Sequence, residues 1–101
     1  MMLPFVLAVL ALQATPASPP VEWSRRPPIE YPERALSEDI RRGAVTLRCR
    51  FEQAKPVECV IVSETPPGYG FGAEAVRAVR RGVAVEGTEG ERLVVLNFVL
   101  G

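Results

Sequence analysis

The chain has 101 residues, twelve basic and twelve acidic, for a formal net charge of zero, and it contains no histidine. That length holds one domain without internal repeats. The balanced charge supplies no net electrostatic footprint for nucleic acid or anionic lipid, so neither is expected as a partner.

The opening stretch, MMLPFVLAVLAL, is almost wholly apolar. As a helix it would span about 18 Å, short of a hydrocarbon core of roughly 30 Å. That length suits the apolar region of a signal peptide, with small residues at Thr15 and Ala17 for cleavage after residue 17. Residues 1–17 are therefore read as an export signal, and the rest as a periplasmic protein. SPPVEWSRRPPIEYP follows, and its proline density suits neither a helix nor a central strand. Residues 18–30 are read as an extended linker and 31–101 as the folded domain. A domain of roughly 70 residues buries only about 60% of its surface and is marginal without reinforcement.

Pro32 fits the first position of a helix running to about Ile40, with Leu36 and Ile40 on one face and Gly43 as its stop. AVTLRCRF (44–51) alternates strictly, placing Val45, Leu47, Cys49 and Phe51 on one face of a strand. VECVIVSE (57–64) reads as a second strand, turning back around 52–56. Pairing Phe51 with Val57 puts Arg50 opposite Glu58, Leu47 opposite Ile61 and Cys49 opposite Cys59. TPPGYGFG is a loop by composition. A short helix follows, with Ala75, Ala78 and Val79 facing the sheet and Gly82 as its stop. VAVEGTEGE is read as irregular, and RLVVLNFVL (92–100) as a closing strand, apolar on both faces in its middle. The predicted fold is α+β: a helix, then β-β-α-β. Its three-stranded antiparallel sheet has the first strand central and the last on an edge, with helix packed on one face. An apolar edge strand invites pairing, by a partner peptide or by a second copy of the chain in a homodimer.

The arginines come in adjacent pairs, 25–26, 41–42 and 80–81, a pattern read as solvated helix ends. Trp23, Tyr31 and Tyr69 are candidates for a partner surface or for covering a small core.

These residues together resemble the C-terminal domain of the TonB family. PPIEYPERALSEDIRRGAVTLRCRF is similar to its opening, in which a Tyr-Pro pair (Tyr31, Pro32) precedes a short helix, a glycine and the first strand. VECVIVSETPPGYGFGAEAVRAVRR resembles the second strand, loop and alanine-rich helix, and GERLVVLNFVLG the closing strand. The resemblance implies a periplasmic module that takes a strand from an envelope protein or outer-membrane receptor beside its last strand. Leu93, Val95, Asn97 and Val99 would lie in that binding strand, and receptor-linked transport is implied with it. The sequence departs from full-length members. Its apolar stretch is too short to span a membrane, and the 19 residues from Gln13 to Tyr31 reach at most about 65 Å. A short secreted variant is expected, binding protein without transducing energy.

Cys49 and Cys59 are the only cysteines. A nucleophilic role lacks a histidine base, and two thiols make an incomplete zinc site, so no catalytic residue, metal or cofactor is expected. Direct opposition across two strands suits a disulfide, which in an oxidising compartment would pin the hairpin. The alternative is a pair of reduced cysteines acting as small core residues. PGYGFG lacks the lysine and hydroxyl ending of a phosphate loop.

Overall fold

The computed structural model describes residues 19–101. The expected export signal at 1–17 lies outside the described residues. Seven elements follow in order: β1 (Trp23–Arg25), α1 (Glu33–Ser37), β2 (Arg42–Glu52), β3 (Lys55–Thr65), α2 (Phe71–Arg80), β4 (Val83–Ala84) and β5 (Gly90–Val99). The architecture is α+β. Strands β3, β2 and β5 form an antiparallel sheet in that order, and β1 pairs with β4 in a separate two-stranded ribbon.

The alternation of β2 sorts its side chains cleanly. Val45, Leu47, Cys49 and Phe51 are essentially inaccessible, and Arg48 and Arg50 face solvent. Helix α2 lies over β2 and β3 and buries Phe71, Ala75, Ala78 and Val79. Gly72 lets it approach β3: a Cβ there would sit 2.5 Å from Glu64 Oε1 and 2.7 Å from Ile61 Cδ1. β5 adds Val94, Leu96 and Phe98 to the same core. Burying these large apolar side chains stabilises by about 1.5–3 kcal/mol each, the main favourable contribution in so small a domain.

The hairpin register has Leu47 opposite Ile61, Cys49 opposite Cys59 and Arg50 opposite Glu58. Phe51, expected opposite Val57, pairs with Pro56 instead, because the register shifts between Arg50 and Phe51. The turn is correspondingly tighter than the expected 52–56. Only Gln53 (φ 52°) and Ala54 (φ 67°) connect the strands, both left-handed. Such a two-residue turn normally takes Asn-Gly. Here tertiary hydrogen bonds hold it: Gln53 N donates to Glu89 Oε2 (2.9 Å), Ala54 N donates to Thr88 O (3.0 Å), and Ala54 O accepts from Ala84 N (2.8 Å).

α1 is shorter than expected and ends differently. Pro32 is its N-cap rather than its first helical residue. Asp39 at φ 58° closes the helix, with Asp39 N bonded to Leu36 O (3.1 Å) and Ile40 N to Ala35 O (2.9 Å). That is a left-handed C-terminal motif with aspartate in the place usually given to glycine. Gly43, expected to stop the helix, lies inside β2. The shorter helix also turns a different face inward: Ala35 is fully buried, whereas Leu36 is 47% exposed.

The proline-rich stretch lies against the domain. Val21 and Trp23 pack on the core, Trp23 pairs with Ala84, and its ring meets Phe51 at 6.1 Å. Gly82 makes room, since a Cβ there would come within 2.9 Å of the Trp23 ring. The ribbon takes its second strand from the stretch expected to be irregular. Pro27 and Pro28 fall beyond the paired residues, so their missing N–H groups cost it no ladder bonds.

Candidate partner-binding edge

Strand β5 is an edge of the sheet, and among the described residues it pairs only with β2. Its ladder runs without a shift from Arg42–Val99 to Phe51–Gly90. Period-two geometry then divides the strand. Val94, Leu96 and Phe98 enter the core, and Leu93, Val95, Asn97 and Val99 stand on the open face. Val95 and Val99 are the most exposed large apolar residues among the described residues, at 62% and 69%. On β2 they are flanked by Arg48 opposite Leu93, Thr46 opposite Val95, Ala44 opposite Asn97 and Arg42 opposite Val99. The open face therefore presents an apolar stripe beside two guanidinium groups. At its far end, Arg42, Thr65, Pro66, Asn97 and Val99 line a shallow cavity of about 400 Å³.

The expected Tyr-Pro pair lies behind this edge and not on it. The Tyr31 ring stands edge-on to Phe71 (5.5 Å, 85°) and Phe98 (6.2 Å, 81°), and Phe71 and Phe98 are 5.0 Å apart. The Tyr31 hydroxyl donates to Ile40 O at 2.6 Å, and Pro32 is buried at the start of α1. Directly across the ladder from Phe98 is Gly43, where a Cβ would come within 2.7 Å of the Phe71 ring. Tyr31, Phe71, Phe98 and Gly43 thus form one packed unit that fixes the position of β5. Sequence reasoning missed Phe71 and Gly43 as members of it. An available signal was the shared register of Gly43 and Phe98, since a glycine facing an aromatic across strands leaves room for a second ring.

Cys49 and Cys59 are joined by a disulfide, with Cα atoms 4.0 Å apart. The bridge ties β2 to β3, the edge opposite β5. On the outer face above it, Arg50 forms ion pairs with Glu52 and with Glu58, the latter at 3.4 Å. All three side chains are well exposed, so these pairs contribute at most about 1 kcal/mol.

Of the aromatic candidates for a partner surface, Trp23, Tyr31 and Tyr69 are all partly buried and pack against the core. No protein-family model matches this sequence, and no curated protein matches it.

Proposed function

We propose that this chain is a non-catalytic protein-binding module of the cell envelope, similar in kind to the C-terminal domain of TonB, which accepts an extended segment of a partner protein beside β5. The observation carrying this reading is the character of the β5 edge. It is ten residues long, keeps an unbroken register, contains no proline and exposes Val95 and Val99 on either side of Asn97. Edges of that kind template further pairing unless they are blunted. Main-chain hydrogen bonds would supply most of the affinity, and alternate side chains the selectivity. A disulfide is compatible with an oxidising compartment such as the periplasm. An outer-membrane receptor segment is the partner that the family resemblance suggests, with receptor-linked transport as its setting.

The test is titration of the isotope-labelled domain with an extended peptide resembling a TonB box. Amide signals of Val95, Asn97 and Val99 should shift together, whereas those of β3 should not. Val95→Lys should weaken binding about tenfold by placing a charge in the exposed row of β5 beside the added strand, with stability changed by no more than about 0.5 kcal/mol. No shift at millimolar peptide would sink the proposal. Concentration-dependent sedimentation abolished by the same substitution would replace the partner by a second copy, making the chain a self-associating envelope protein.

A further inference from the structure

Two of the three arginine pairs in the sequence converge in space. Arg25 and Arg26 at the end of β1, Arg80 and Arg81 at the end of α2, and Lys55 at the start of β3 line one open cleft of about 670 Å³. Five of the chain's twelve cations thus meet at one place, and no acidic residue lines it. None of the five side chains makes an ion pair or hydrogen bond among the described residues, whereas Arg41, Arg50 and Arg77 are each paired with a carboxylate. The nearest acids along the sheet, Glu52 opposite Lys55 and Glu58 beside Val57, are both held by Arg50.

Solvation of a helix end explains only part of this cluster. Arg80 and Arg81 sit where the dipole of α2 favours positive charge. Arg25, Arg26 and Lys55 come from two other elements, and the half-unit of negative charge at that helix end, about -0.5 by the dipole model, offsets only a fraction of the cluster. Gathering five like charges is unfavourable unless an anion offsets them, and four of the five are guanidinium groups, whose planar forks suit phosphate oxygens. Between the cations the lining is apolar, from Pro28, Pro56, Val57 and Val83. The volume falls within the range of small-ligand clefts, larger than a lone anion needs.

We propose that this cleft binds a phosphate ester: the phosphate is held by Arg25, Arg26, Arg80 and Arg81 with Lys55, and the ester's apolar body lies over Pro56 and Val83. The site is formed by the β1–β4 ribbon, the start of β3 and the end of α2, and does not involve β5. It is therefore independent of the partner-binding reading. The shared chemistry is a phosphate next to an apolar group, found both in soluble esters and in phospholipid headgroups.

The experiment uses the full chain with two probes in parallel: inorganic tripolyphosphate followed by amide NMR, and flotation with vesicles of equal parts phosphatidylcholine and phosphatidylglycerol. Tripolyphosphate should shift the amides of Arg25, Arg26, Lys55 and Gly82. Arg26→Ala and Arg80→Ala should each weaken the response about tenfold. All five cations are exposed, so these variants should retain their unfolding midpoints. Arg34→Ala, which removes an exposed arginine outside the cleft, should leave binding unchanged. Flotation that depends on Arg26 and Arg80 would assign the site to a lipid headgroup, and binding of tripolyphosphate alone to a soluble ester. Shifts spread evenly over Arg34, Arg41 and Arg42 as well, or equal weakening by Arg34→Ala, would overturn the proposal. Self-association lost in the cleft variants without any tripolyphosphate response would also overturn it, leaving an acidic surface of a second copy as the counter-charge.

Discussion

The two edges of the central sheet are built on opposite plans. β3 is interrupted by two register shifts, between Thr46 and Leu47 and between Arg50 and Phe51 as read along its partner β2. It carries Lys55, Pro56, Glu58 and Glu64, and it is held to β2 by a covalent bridge. β5 has no shift and no proline, with charge only at Glu91 and Arg92. Bulges, prolines and charges are the common means of keeping an edge from pairing with other chains. β3 carries these features and β5 has few of them. The two are also secured by different forces. To its ladder with β2, β3 adds a covalent bridge that constrains the unfolded chain. β5 depends on side chains packed into the core, chiefly Phe98 against Phe71 and Tyr31.

The largest expected effect breaks the packed edge. Phe98→Ala should lower stability by about 3–5 kcal/mol, because it leaves a cavity beside Phe71 and Tyr31. Urea unfolding measures the loss, and a loss below about 1 kcal/mol would show that β5 is held by its ladder alone. Next is the covalent edge. Removing the bridge with Cys49→Ala and Cys59→Ala together should cost about 2–3 kcal/mol by the loop-closure model. Hydrogen exchange in the double variant should speed up first in β3, with β5 following only at global unfolding. Equal acceleration on both edges would erase the distinction drawn between them. The smallest effect concerns the turn joining β2 to β3. Gln53 is exposed and left-handed at φ 52°. Gln53→Gly should therefore raise stability by about 0.5 kcal/mol, the relief of steric cost exceeding the entropy added to the unfolded chain.

Much of this architecture is legible in local pattern. The strict alternation of residues 44–51 has one consistent reading, and it places Cys49, Leu47 and Phe51 on one face before any partner strand is known. The cross-strand opposition of Cys49 and Cys59 follows from the apolar and charged pairs that accompany it. The first helix was less legible. Pro32 and Gly43 are plausible boundaries by residue type, yet Asp39 ends the helix by adopting a left-handed conformation that glycine would adopt more readily. β1 was hidden by its prolines. Trp23 and Val21 alternate, but the six residues between Pro20 and Pro27 carry too little periodicity to announce a strand.

At the candidate sites the same division holds. The apolar run of 93–99 marks β5 as a strand, but not which of its neighbours would remain unpaired. The arginine pairs look alike in sequence: one closes on Asp39 across the end of α1, and the other two meet in a cleft. By itself the sequence determined the faces of β2, the hairpin and its disulfide partners, because periodicity and cross-strand pairing act over a few residues. Only the tertiary structure decided the left-handed turn at Gln53–Ala54, the ribbon that brings Arg25 and Arg26 beside Arg80 and Arg81, and the place of Gly43 under Phe71. Those features depend on hydrogen bonds and contacts between segments tens of residues apart, such as Gln53 with Glu89 and Trp23 with Ala84. No local pattern encodes the partner of a backbone group that is satisfied from the far end of the chain.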